Sequence, residues 1–160
     1  MTREQFIREI SGIQGPLRRF LLSLCSGDAA AADDIAQDAC VKAWLSLDGF
    51  RDQSKLQTWV FRIAYNSWYD SYRKSGARPC GLDASEVRGL ADTARTDDAF
   101  RYEALYAAIE QLGPSEKAAV LLFYMEDKSI REISSILGVP AGTVKSLLSR
   151  GRAKLKFKLK

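Results

Sequence analysis

The chain has 160 residues, of which 46% are hydrophobic and 28% are charged, and it carries a net charge of +4. This length suits one domain or two small ones with a buried core. No apolar run approaches the roughly 20 residues that a membrane-spanning helix needs, and no signal-peptide pattern opens the chain. We therefore expect a cytoplasmic protein.

Histidine is absent, and the three cysteines, Cys25, Cys40 and Cys80, show no C-x-x-C spacing. The commonest general base and the usual ligands of a zinc site are therefore missing. Neither a glycine-rich phosphate loop nor a G-x-S-x-G motif occurs. We expect a protein without enzymatic activity, metal or cofactor, whose cysteines are buried or half-buried apolar residues.

The first half of the chain shows only helical periodicity. Apolar residues recur at three- and four-residue intervals over residues 3–24, with a break expected at Gly15-Pro16. A second helix is predicted from about Ala30 to Leu47, and a third from Lys55 to Lys74. The predicted core stripe of the third helix is Leu56, Trp59, Val60, Ile63 and Ala64.

Residues 75–98 lack this periodicity and are rich in Gly, Ser, Thr and Asp, which predicts a flexible linker with a short helical turn near Glu86 to Leu90. Helical pattern returns at Tyr102 and stops at Gly113-Pro114, after which Ser115 is expected to cap the next helix. The sequence therefore predicts an all-α fold of two small helical domains. We place their boundaries at 1–76 and 101–160, with the linker at 77–100.

The last segment combines a turn signature with positive charge. Ser129 and Glu132 form a capping box, Gly138-Val139-Pro140 makes a tight turn, and a second helix is predicted from Thr143 to Leu155. Residues 129–160 contain eight basic side chains and one acidic side chain. Two short helices joined by such a turn, the second of them cationic, are typical of a DNA-reading helix-turn-helix. The predicted contacts to base edges and phosphates are Thr143, Lys145, Ser146, Ser149, Arg150 and Arg152.

At this point the sequence resembles a known family. The residues from Ser129 to Ser146 are similar to region 4 of bacterial sigma factors, and Ala43-Trp44 together with the stretch from Thr58 to Asn66 resembles their region 2. Both motifs, in this order and in so short a chain, resemble the extracytoplasmic-function (ECF) sigma factors. The resemblance implies a factor that binds core RNA polymerase, directs it to promoters and assists promoter opening. It also implies an anti-sigma factor as a partner.

The resemblance extends to individual positions of the first module. It implies that the polar face of the second helix docks on the polymerase clamp, through Asp34, Gln37, Asp38 and Lys42. It also implies a pocket for a base flipped out of the minus-ten element, below the loop Arg51 to Lys55. The residues that map onto this pocket are Ser46, Phe50, Phe61, Ile63 and Asn66.

The third helix is also unusually aromatic. Five aromatic residues in twelve exceed what one core stripe can bury, and exposed rings among cations are stacking platforms for unpaired bases. The aromatic residues are Phe61, Tyr65, Trp68, Tyr69 and Tyr72, and the cations among them are Arg62, Arg73 and Lys74. Trp68, and Trp59 just before this stretch, are expected in the core.

Two other functional classes remain as alternatives. A self-sufficient DNA-binding regulator would share the helix-turn-helix, but residues 1–75 lack the strand–helix alternation of a receiver or ligand-binding domain. A pure protein-interaction module would not need the basic terminal segment or the crowded aromatic residues. Binding to promoter DNA with and without polymerase distinguishes the sigma factor from the first alternative.

Overall fold

The computed structural model describes residues 1–50, 55–75 and 97–158. All secondary structure in these ranges is helical, which confirms the predicted all-α fold class. The elements in chain order are α1 (Arg3–Leu24), α2 (Ala29–Leu45), a 3-10 turn (Leu47–Gly49), α3 (Leu56–Lys74), α4 (Asp97–Glu110), α5 (Pro114–Val120), a π-helical turn (Leu121–Met125), α6 (Ile130–Leu137) and α7 (Ala141–Lys158). Within the described ranges, no helix combines the length and the apolar character needed to cross a membrane.

Some sequence predictions lie outside the described residues or need adjustment at their edges. The predicted turn near Glu86 to Leu90, Cys80 and residues 51–54 of the pocket loop lie outside. Helix α4 begins at Asp97, inside the segment predicted as linker. Cys25 is buried and Cys40 is half-buried, as predicted for these two.

Helix α1 is continuous through Pro16, so the predicted break at Gly15-Pro16 is wrong. A proline inside a helix removes one hydrogen bond and costs about 3 kcal/mol. Burial of the apolar stripe on both sides of Pro16 offsets this cost, because each large apolar side chain contributes roughly 1.5–3 kcal/mol. The buried stripe is Phe6, Ile10, Ile13, Leu17, Phe20, Leu21 and Leu24.

Helices α1, α2 and α3 pack against one another and form the first module. Small residues on α2, among them Ala39 and Ala43, are fully buried and let the helices approach closely. In α3 the buried residues are Leu56, Thr58, Val60, Phe61, Ala64, Tyr65 and Trp68. Trp59 and Ile63, both predicted in the core, are only half-buried.

Helices α4 to α7 form the second module. Gly113, and not the predicted Ser115, is the N-cap of α5, because Pro114 occupies the first helical position, where its missing N–H is harmless. The capping box of α6 is present, with Ser129 Oγ accepting from the Glu132 N–H at 3.0 Å. Gly138 ends α6 with a φ of 69°, a left-handed conformation that favours glycine.

The two modules share one hydrophobic core. Helix α3 packs against α1 and α2 on one side and against α6 of the second module on the other. An isolated first module would expose this second side of α3. The aromatic residues of α3 therefore lie at the junction between the modules.

Candidate nucleic-acid interface

Helix α7 carries its predicted DNA-contacting residues on the outside. Val144, Leu147, Leu148 and Gly151 are buried and anchor one face of the helix to the module. All six residues predicted to contact DNA are exposed, which places them where a duplex can reach them: Thr143, Lys145, Ser146, Ser149, Arg150 and Arg152. Their roles in DNA binding stay predictions.

Three cations of α7 have partners within the protein, which the sequence did not reveal. Lys154 Nζ donates to Glu116 Oε1 at 2.7 Å, and Arg150 Nε lies 3.6 Å from Glu116 Oε2. On the other edge of α7, Arg152 donates to the hydroxyl of Tyr124 at 3.4 Å. Lys145, by contrast, is exposed at the N-terminal half of the helix.

The outer face of α2 holds the four residues predicted to dock on polymerase. Asp34 and Gln37 are exposed, and Asp38 forms a 2.9 Å ion pair with Lys42 one turn later. Lys42 also donates to Ser67 Oγ of α3 at 3.1 Å, which ties this face to the third helix. The roles of the four residues in polymerase binding stay predictions.

The same face of α2 also exposes two large apolar side chains that were not singled out in the sequence. Val41 is 56% exposed and Leu45 is 73% exposed, and they lie three and seven residues beyond Asp38. At the helical spacing of 3.6 residues they continue the stripe of Asp34 and Asp38. Apolar residues that follow acidic residues on the same side of a helix indicate a protein-binding surface, and this pattern was present in the sequence.

The apolar part of the predicted base pocket is closed in this structure. The Phe61 ring is fully buried and stacks on Phe20 at 5.3 Å between ring centroids. The ammonium of Lys128, from the second module, lies 5.2 Å from the centroid of the same ring. Phe50 is also buried and packs against Trp59 at 5.0 Å.

Tyr65 is buried as well, so the expectation of exposed rings is wrong for Tyr65 and Phe61, whereas Trp68 is buried as predicted. The reason is the second module, which covers the face of α3 that the sequence leaves free. Ser115 of α5 lies 3.5 Å from the Tyr65 hydroxyl. Burial raises the pKa of Tyr65, an effect that the hydrogen bond to Ser115 partly opposes.

The remaining residues assigned to the minus-ten element lie at the surface or close to it. Ser46, Arg62, Asn66, Arg73 and Lys74 are exposed, and Ile63 and Tyr69 are half-buried. Arg73 forms a 3.0 Å ion pair with Asp70 and lies 5.6 Å from the centre of the Tyr69 ring. The guanidinium of Arg73 thus occupies one face of the Tyr69 ring, the kind of surface on which a base would stack.

Buried polar contacts join the two modules. Arg19 of α1 makes a bidentate contact with Glu126, with both distances 2.8 Å, and the Glu126 side chain is only 3% exposed. Lys117 of α5 is buried and donates to the Leu24 carbonyl at 3.1 Å, to Ser26 Oγ at 3.3 Å and to Glu110 Oε1 at 3.0 Å. The sequence analysis missed the contacts between the modules because the two partners lie 91 to 107 positions apart in the chain. The pair of Lys117 with Glu110 is the exception, since these residues are seven positions apart.

Comparison with known proteins now identifies the family. The Sigma-70 region 2 family matches residues 11–78, and the Sigma-70, region 4 family matches residues 102–155. The ECF RNA polymerase sigma factor EcfG of Rhodopseudomonas palustris is 32% identical over 139 residues, which cover 87% of this chain and 76% of EcfG. SigW of Bacillus subtilis is 33% identical over 148 residues, covering 84% and 78%. The chain belongs to the ECF RNA polymerase sigma factors.

Two solved structures share the fold of this sigma factor. The sigma factor RpoE of Bartonella quintana, crystallised with the anti-sigma factor NepR, gives a TM-score of 0.75 at 28% identity over 98% of this chain and 97% of that one. CnrH in complex with the cytosolic domain of CnrY gives 0.73 at 23% identity, covering 99% and 89%, and supports the fold alone.

Membership of the family confirms the resemblance drawn from the sequence. An ECF sigma factor binds core RNA polymerase and directs it to promoter DNA, so this function is established for the chain at the level of the family. The alternative function, that of a self-sufficient DNA-binding regulator, is not favoured.

Proposed function

We propose that this sigma factor divides promoter recognition between its two modules. Residues 1–76 dock on core polymerase and read the minus-ten element, and residues 101–160 read the minus-thirty-five element through α7. The observation that carries the proposal is the outward face of α7, where every residue predicted to contact DNA is exposed while the opposite face is anchored in the core. A helix held in this way can enter a major groove without rearranging its own module.

The proposed docking surface for polymerase is the outer face of α2. It combines the carboxylates of Asp34 and Asp38 with the apolar side chains of Val41 and Leu45. A mixed acidic and apolar stripe along one helix suits a partner helix that offers cations around an apolar seam.

The pocket for a flipped base must open before it can be used. Phe61 and Tyr65 are covered by Lys128 and Ser115 of the second module, so a base reaches them only after the modules separate. We therefore propose that polymerase binding and module separation are coupled. Labels on Gln14 and Lys156, both exposed and outside the proposed binding surfaces, are expected to lose energy transfer when core polymerase is added.

The proposal also covers the location of the protein, its lack of catalytic activity and its regulation. The protein acts in the cytoplasm, where RNA polymerase works, and contributes no catalytic chemistry of its own. An anti-sigma factor is its proposed negative regulator. The support for this partner is that RpoE, which has the same fold, was crystallised with the anti-sigma factor NepR.

The proposal is tested by DNA binding with and without core polymerase. A single small module buries roughly 600–1,000 Å² on DNA, which is too little for strong specificity, so the free protein should bind promoter duplex weakly and unselectively. Core polymerase fixes the separation of the two modules and should make binding tight and selective. Fluorescence anisotropy with the full-length protein measures both states.

Variants of the α2 face sharpen this test. Asp38→Arg should abolish the gain that polymerase provides and leave the weak binding of the free protein unchanged. Glu9→Arg makes the same change of charge at an exposed position of α1 and should keep the gain. Tight, selective binding by the free protein would overturn the proposal and favour the self-sufficient regulator.

A further inference from the structure

Glu116 is a buried carboxylate beside the most cationic helix of the protein. Only 8% of its surface is exposed, yet it lies at the start of α5 against α7. Its Oε1 accepts from Lys154 Nζ at 2.7 Å and from the Gly113 N–H at 3.2 Å, while Arg150 Nε lies 3.6 Å from Oε2. One carboxylate therefore holds the start of α5 on one side and two cations of α7 on the other.

The electrostatic setting keeps this carboxylate ionised. Burial raises the pKa of Glu116, but the hydrogen bonds from Lys154 and Gly113 and the charge of Arg150 outweigh burial and hold the pKa below its usual value. At neutral pH the group is an anion with two cationic neighbours. Removing its charge would leave Lys154 and Arg150 without their counter-charge.

A second contact fixes how closely α5 and α7 approach. A Cβ atom added to Gly151 would lie 2.8 Å from Val120 Cγ2, which is closer than carbon atoms can approach without a shift. Gly151 follows Arg150 directly in α7, so the close contact and the ion pairs occupy the same turn. Gly151 thus sets the separation of the helices, and the ion pairs with Glu116 add a restraint on the rotation of α7 beside that of its buried stripe.

That rotation decides which residues of α7 meet DNA. At about 100° per residue, Arg150 and Lys154 lie along one edge of the helix, next to its buried face. Ser146 and Ser149 lie on the side away from the core. If α7 turned to release Arg150 and Lys154, this outward side would leave the groove floor and the two cations would face the phosphates.

We propose that Glu116 is a positioning residue for DNA recognition: it holds Arg150 and Lys154 against α5 and so fixes the rotation at which α7 reads the upstream promoter element. This inference rests on the proposed function, in which α7 enters the major groove. Glu116 itself need not touch DNA. Its role is to limit how freely Lys154 and Arg150, the latter a predicted DNA contact, reach the phosphates, and to keep the reading face in register.

The proposal predicts opposite changes in affinity and in selectivity. Neutralising Glu116 frees two cations for phosphates, so affinity for duplex of arbitrary sequence should rise and should fall more steeply with salt. Two added phosphate contacts steepen the slope of log K against log salt by up to about 1.8. Discrimination between bases should weaken at the same time, because the rotation of α7 has lost one of its restraints.

The experiment compares Glu116→Gln with Glu132→Gln in the full-length protein. Both glutamates accept a hydrogen bond from the N–H of their helix's N-cap residue and have a depressed pKa, and both changes remove one negative charge. The charged neighbours of Glu132 are Lys128 and Lys55, which do not belong to α7. Anisotropy with a random-sequence duplex over a range of KCl concentrations gives the salt slope, and thermal melts confirm that each variant folds.

Selectivity is measured on the holoenzyme. Core polymerase with each variant selects from a pool of promoter duplexes randomised over the upstream element, and sequencing gives the base preference at each position. Glu116→Gln should flatten the preferences while Glu132→Gln keeps them. In a background of Arg150→Gln and Lys154→Gln, the change at Glu116 should no longer steepen the salt slope.

The possible results distinguish a failure of the proposed role of α7 from a failure of the proposed role of Glu116. If the wild-type holoenzyme shows no base preference in the upstream element, the proposed role of α7 fails. If it shows one and Glu116→Gln behaves like Glu132→Gln in slope and preference, Glu116 has no positioning role. A weaker, unselective Glu116→Gln that still folds would also overturn the proposal, because it would mean that the freed cations do not reach DNA.

Discussion

Helices α3 and α7 were both predicted to present a functional face to solvent, but only α7 does so along its whole predicted face. Helix α7 packs through one stripe, so its polar residues remain outside. Helix α3 packs on two sides, so α1 and the second module together bury Phe61, and the second module covers Tyr65. A periodic pattern therefore predicts exposure well for a helix with one neighbour and poorly for a helix at a junction.

The largest effect expected from this comparison is at Phe61. Phe61→Ala removes a ring packed between Phe20 and Lys128 and should lower the free energy of unfolding by about 3–5 kcal/mol, as for other large-to-small core changes. Urea denaturation followed by circular dichroism measures the loss.

Asn66→Ala is the matched control on the same helix. Asn66 is exposed, so its replacement should change the free energy of unfolding by less than about 0.5 kcal/mol. Equal stability of the two variants would contradict the burial of the Phe61 ring. We also expect permanganate footprinting to show that Asn66→Ala opens the minus-ten element less well, although the variant keeps its stability.

The next effect sharpens the comparison on α7 itself. Gly151→Ala places a Cβ against Val120 and should cost about 1–3 kcal/mol through overpacking. Gly142→Ala, on the same helix, adds a Cβ with nothing within 4 Å, so it should leave stability unchanged or raise it by up to about 1 kcal/mol. Thermal unfolding of the two variants compares the buried and exposed faces directly, and similar melting temperatures would contradict the close approach of α5 and α7.

A smaller effect is expected at the junction between the modules. Arg19→Ala leaves the buried Glu126 carboxylate unpaired, and because Arg19 is itself 61% exposed we expect a loss of only about 1–2 kcal/mol. Arg18→Ala removes a pair with Asp33 whose side chains are about half exposed, which should cost about 0–1 kcal/mol. Chemical denaturation of these neighbouring variants tests whether the junction is closed in the free protein, and equal losses would indicate that it is open.

The smallest effect is a dependence on pH. The pKa of Glu116 is depressed in the folded protein, so its ionised form stabilises the fold above the unfolded carboxyl pKa of about 4.3, and this contribution is lost as the pH falls through the folded value. The difference in unfolding free energy between wild type and Glu116→Gln should therefore be full near neutral pH and shrink under acid. A difference that stays constant with pH would show that the charge of Glu116 does not stabilise the fold.

Local signals in the sequence predicted much of the second module. The capping box at Ser129 and Glu132, the glycine at 138 and the apolar stripe of α7 are each recognised from spacings of a few residues, and the structure has all three. The break at Pro16 was predicted wrongly because a local penalty was outweighed by the burial of the apolar stripe on both sides of the proline. The N-cap at Gly113 was missed because Pro114 shifts the helix start by two residues.

The sequence by itself determined the helical class, the helix-turn-helix and the family, because each is written in residue types at short, fixed spacings. Only the tertiary structure decided that Phe61 and Tyr65 are closed off and that Arg150 and Lys154 face Glu116. These contacts join residues that are 34 to 67 positions apart. The spacing of residue types along the chain does not show which distant residues become partners. Which predicted surface is free to meet DNA therefore depends on how the helices pack.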